Sequence, residues 1–148
     1  MALRFRNLTV TPDHPVEDWG FEGLLSAVDR GDLAHWRRIV AAIRRDPWGP
    51  VSRQLDQVFN VASDQGVVST LRRAVVQVHQ QEEQEERAGV AAQVRECVVR
   101  SGLSQQEFAR SMGTSPSRLS TYINGSVIPS ASLMVRMRRL AQRCDSAR

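Results

Sequence analysis

Arginine offers this sequence its richest chemistry: all 20 cationic side chains are arginine and none is lysine. A guanidinium presents a planar fork that matches phosphate oxygens and the edge of guanine. Genomic base composition can produce the same excess, so position says more than number. From Val90 onward nine arginines (Arg95, Arg100, Arg110, Arg118, Arg136, Arg138, Arg139, Arg143, Arg148) stand against three acids (Glu96, Glu107, Asp145), a local balance of +6 within a chain total of +4. The preceding residues therefore carry −2. Such asymmetry is what a nucleic-acid module joined to a differently employed module shows.

The other reactive residue types point away from catalysis. His14, His35 and His79 stand alone, with no Ser, Cys or carboxylate at triad or metal-ligand spacing. Cys97 and Cys144 lack a CxxC or Cys/His pattern and sit in segments that read as helical, which indicates neither a metal site nor a disulfide framework and suits a reducing compartment. Glu82, Glu83, Glu85 and Glu86 lie in a polar run and read as solvated. Trp19, Trp36 and Trp48 fall on apolar stripes or in a turn, where core packing is expected of each. The sequence thus predicts no enzyme, no cofactor and no metal. It contains no apolar run near the ~18 residues of a membrane span and no signal core in its first thirty residues, so a cytoplasmic protein is expected.

The elements that position these residues read as all-α, with no strand alternation, hairpin signal or internal repeat. Met1 to Asp13 has no helical period and reads as an arm. A first helix begins at Pro15, carries Trp19, Leu24, Leu25 and Val28 on one face, and ends at Gly31, a C-terminal position that tolerates left-handed dihedrals. Asp32 caps a second helix with Leu33, Trp36, Ile39, Val40 and Ile43 as its stripe and Arg37, Arg38, Arg44 and Arg45 opposite. Asp46-Pro47-Trp48-Gly49 stops it. Pro50 opens a third helix that buries Val51, Leu55, Val58 and Phe59. After a turn or cap near Ser63 to Gly66, Val68, Leu71, Val75 and Val78 mark a fourth helix and a candidate dimer face. The polar run His79 to Arg87 has no Pro or Gly and consists mainly of good helix formers, so a helix is expected to continue through it. The expected organisation is an N-terminal helical domain over 1–78, a polar linker over 79–88 and a second helical domain over 89–148.

In the last of these, Ala91, Val94 and Val98 share one helix face, closed at Ser101-Gly102. Ser104 with Glu107 three residues on forms a capping box opening a helix to Met112. Gly113 makes the turn. Ser115 caps and Pro116 begins the next helix, which carries Leu119, Tyr122 and Ile123 and stops at Asn124-Gly125. Two short helices joined by a Gly-containing turn have the form of a DNA-binding helix-turn-helix. Ser130 then caps a final helix, with Leu133, Met137 and Leu140 facing inward and Arg136, Arg138, Arg139 and Arg143 forming a solvated or DNA-facing surface.

The run LSQQEFARSMGTSPSRLSTYINGSVIPS resembles the phage-repressor (Cro/C1, or XRE) family, with Leu103, Ser104, Gln105, Phe108, Ala109, Gly113, Leu119, Asn124, Gly125 and Pro129 in register. The resemblance covers about Val90 to Leu140. The whole chain also resembles actinobacterial regulators in which a Trp- and Arg-containing helical domain precedes such a module. Family geometry implies that the Ser115–Ile123 helix enters the major groove, with Ser115, Pro116, Ser117, Arg118, Ser120 and Thr121 toward bases or backbone. It further implies that Gln105 meets a phosphate or braces the following helix, and that Asn124 and Ser126 approach the opposite backbone. Arg118 is the expected base reader, through a bidentate contact to guanine, with a phosphate contact as its alternative. The function implied is sequence-specific duplex DNA binding by a homodimeric repressor or autoregulator. The alternative is an antitoxin or other interaction protein whose N-terminal domain binds a partner protein.

Overall fold

The computed structural model describes residues 2–6 and 8–147. Met1 and Asn7 of the arm, and Arg148 of the C-terminal arginine set, lie outside them. Among the described residues the fold is all-helical: a 3-10 turn Val16–Asp18, then α1 Gly20–Arg30, α2 Leu33–Arg45, α3 Pro50–Phe59, α4 Gln65–Ser101, α5 Gln105–Met112, α6 Pro116–Ile123 and α7 Ala131–Ser146. The chain forms two compact units, residues 1–82 and 83–148.

In the first unit Trp19, Leu24, Val28, Ile39, Ile43, Leu55 and Val58 are almost wholly excluded from solvent. Their indole and aliphatic burial supplies the driving force for packing α1, α2 and α3. The described residues of the arm have no regular secondary structure, and its C-terminal end is tied down. Trp19 Nε1 donates to the His14 carbonyl at 3.0 Å, and the Arg38 guanidinium lies 5.0 Å over the Trp19 ring while donating to the Pro12 and His14 carbonyls. Asp32 caps α2 by accepting from Ala34 N and His35 N, and Asp64 caps α4 by accepting from Gly66 N and Val67 N.

The structure corrects several expectations. The first helical segment is broken into a 3-10 turn and α1, with Gly20, the first residue of α1, at φ +64°. Gly31 is extended, at φ −78° and ψ −172°; it is required because a Cβ there would sit 2.3 Å from the Ala27 carbonyl oxygen. Leu33 is 55% exposed although it falls on the α2 stripe. Trp48 is 47% exposed and stacks on His79 at 4.2 Å, outside the core, while His79 Nε2 donates to the Pro47 carbonyl at 2.7 Å. Val68, Leu71, Val75 and Val78 are buried in the core of their own unit, so they offer no dimer face.

Helix α4 runs unbroken for 37 residues, and the segment 79–88 is helical throughout. Its Gln and Glu residues have good helix propensity and its side chains are largely exposed. The helix expected over Ala91 to Val98 is therefore the second half of α4.

Candidate nucleic-acid interface

The second unit is built on the C-terminal half of α4 with α5, α6 and α7. Val94, Phe108, Ala109, Met112, Leu119, Tyr122 and Met137 form its buried centre. Ala109, at 0% exposure, is small enough to let two helices approach closely. On α7 the inward residues are Met134, Met137 and Ala141, with Leu133 and Leu140 only partly covered. Cys97 is buried in this core, and burial pushes its thiol up from its ordinary pKa, away from reactivity.

Local chemistry fixes where α5 and α6 begin and end. Ser104 Oγ accepts from Glu107 N at 3.2 Å, and Glu107 Oε2 accepts from Ser104 N at 2.9 Å, closing the capping box. The backbone and hydroxyl hydrogen bonds from Ser104 hold the Glu107 carboxyl below the usual range. Gly113 adopts φ 72° and ψ 31°, a left-handed turn that costs an L side chain strain. Ser115 Oγ then accepts from Arg118 N at 3.1 Å, with Pro116 at the first helical position.

The sequence-predicted site residues fall into three groups. Pro116, Ser117, Arg118 and Ser120 lie exposed along α6, preceded by the exposed cap Ser115. Leu119 and Tyr122 anchor the helix from its opposite face. Arg118 Nε donates to Tyr122 Oη at 3.0 Å, which braces the guanidinium; its two terminal nitrogens have no partner among the described residues. Thr121 is half-buried and its hydroxyl donates to the Arg118 carbonyl at 2.6 Å.

Asn124 and Ser126 form the second group. Asn124 Oδ1 accepts from Ser126 N at 2.9 Å and Ser126 Oγ at 2.6 Å, so these oxygens close the turn after α6. Gly125 follows the helix at φ 79°. Gln105 stands by itself in the first turn of α5, exposed and without a side-chain hydrogen bond among the described residues; the brace to α6 is not made.

Two arginines play a part that sequence reasoning missed. Arg95 Nη1 donates to the Ile123 carbonyl at 2.7 Å and Arg136 Nη1 to the Met112 carbonyl at 3.0 Å. Each puts positive charge where the last turn of α6 or α5 leaves carbonyls without helical partners. The expected solvated or DNA-facing arginine row of α7 is thus divided. Arg136 is tied to α5 and Arg138 to Gln93 at 2.6 Å, whereas Arg139 and Arg143 have no partner among the described residues. Arg100 pairs with Asp145 at 2.6 Å, which removes that acid from the open charge balance.

No helix is long and apolar enough to cross a membrane, and no group of three His, Cys, Asp or Glu side chains is placed to hold a metal ion among the described residues. The helix-turn-helix family model matches residues 92–142, about a third of the chain. Searches of curated proteins and of solved structures found no match. With the capped α5, the left-handed Gly113 and the braced outer face of α6, residues 92–142 are a helix-turn-helix DNA-binding domain of the Cro/C1 (XRE) type, a module of transcription regulation.

Proposed function

We propose that the chain is a cytoplasmic, homodimeric repressor that reads duplex DNA with α6 in the major groove. The observation that carries this reading is Arg118: exposed at the leading end of α6, braced through Nε by Tyr122 and open at both terminal nitrogens. A guanidinium presented in that way suits the O6 and N7 acceptors of guanine. The eight residues of α6 span about 12 Å, comparable with the width of the groove.

Ser115, Pro116, Ser117 and Ser120 contact base edges or the adjoining backbone, and the Thr121 methyl suits a thymine methyl. Gln105, at the positive end of α5, donates to a phosphate. Asn124, through its amide nitrogen, and the turn at Ser126 approach the opposite backbone. Two copies bind half-sites about 34 Å apart, one helical turn of DNA.

The test is enrichment of bound duplexes from a random pool, followed by sedimentation of the chain with and without the enriched site. An inverted repeat bound by two copies is expected. A pool that shows no enrichment contradicts sequence-specific binding, and a single copy on a non-palindromic site contradicts the dimer.

A further inference from the structure

The first unit carries an apolar groove of about 460 Å³ between α2 and the start of α4, walled by Leu33, Trp36 and Val40 on one side and Val67 and Leu71 on the other. Leu33 is 55% exposed there. Arg37 and Arg44 stand on the rim, and no carboxylate lines the groove. The neighbouring arginines of α2 are already engaged: Arg38 with the arm carbonyls and Arg45 with Glu17 at 2.7 Å. Arg37 and Arg44 are exposed and have no hydrogen bond or ion pair among the described residues. Seven residues apart on one helix, they sit about 10.5 Å apart along its axis.

We propose that this groove binds an acidic amphipathic helix of a partner protein. Its apolar stripe lies on the exposed Leu33 and the half-buried Trp36 and Val40, above a floor that includes the buried Val67 and Leu71, and carboxylates two turns apart meet Arg37 and Arg44. A helix repeats its side chains over the same two-turn interval, so one stripe supplies both the apolar face and the matched pair of acids. A single-headed amphiphile satisfies only one of the two cations. A second copy of this chain is poorly matched, because its acidic run, Glu82 to Glu86, contains no apolar residue to enter the groove. The proposal is independent of DNA binding by the other unit.

The probe is a fluorescein-labelled, 18-residue helical peptide with leucines at alternating three- and four-residue steps and glutamates two turns apart beside them. Titrated with the full-length protein and followed by anisotropy, it is expected to bind about tenfold more tightly than its glutamine counterpart, as two ion pairs on an apolar site allow. The double variant Arg37→Glu, Arg44→Glu changes exposed side chains only; it should lose the glutamate peptide and gain the matching lysine peptide. Leu33→Asp should weaken all versions. Equal binding of the three peptides, or no exchange of preference in the double variant, overturns the proposal. Displacement of the peptide by laurate at matching affinity assigns the groove to a small amphiphile and overturns it too, as does loss of self-association in the double variant, which assigns it to a second copy.

Discussion

Two glycines in the second unit should respond to alanine with opposite signs, for reasons that lie in the backbone alone. Gly113 holds φ 72°, and a Cβ there would meet only Arg136 Nη1, at 4.0 Å, so no atom blocks it. The cost of Gly113→Ala is therefore conformational, about 1–2 kcal/mol for placing an L residue in the left-handed region. Gly89 lies inside α4, and a Cβ there would meet nothing within 4 Å. Gly89→Ala should stabilise by about 1 kcal/mol, the helix-propensity difference between the two residues. Each kcal/mol moves the thermal midpoint of a domain this size by about 4–8 °C, which circular dichroism at 222 nm resolves easily. Gly113→Asn should recover part of the loss, because Asn tolerates the left-handed region better than Ala. A Gly113→Ala protein as stable as the parent refutes a left-handed turn between α5 and α6. A destabilised Gly89→Ala protein refutes a helix that is continuous through the junction.

Phe108 is fully buried at the contact of α5 with its neighbours, so Phe108→Ala should cost about 3–5 kcal/mol in chemical denaturation and remove DNA binding together with the fold of that unit. The carboxyls of Glu17, Asp32 and Glu107 are each held below their ordinary pKa, with Arg45, His35 and Ser104 respectively as the leading partners. Their stabilisation is therefore fully present above the unfolded carboxylate pKa and is lost as pH falls through the lowered folded values. Denaturant midpoints measured from pH 7 down to pH 3 should fall on the acid side, and Glu107→Gln should flatten that fall; a midpoint independent of pH in this range contradicts the capping role.

What the sequence makes legible is what it encodes within a few residues. Ser104 and Glu107, Gly113, and Ser115 with Pro116 are local signals, and α5, its turn and α6 appear where those signals place them. Apolar spacing likewise identifies the buried faces of α3 and of the α4 start. It says that a face is covered without saying by what, so Val68, Leu71, Val75 and Val78 are equally compatible with a dimer seam and with the core they join. Leu33 and Trp48 depend on where the chain folds back, which spacing does not record. Arg95 reaches the Ile123 carbonyl across 28 positions, and nothing near it in sequence distinguishes it from a solvated arginine. The role of Gly31 is similarly hidden, since its need comes from the Ala27 carbonyl crowding a Cβ and not from a positive φ.

The base-reading claim for α6 is tested most directly by the affinity of Arg118→Ala for the enriched duplex and for a scrambled duplex of equal length and salt. Loss of the braced guanidinium should weaken the enriched complex by about 1–3 kcal/mol, roughly 5- to 150-fold, and the scrambled complex far less. Equal weakening on the two duplexes, or none on either, contradicts a recognition helix that reads bases through Arg118.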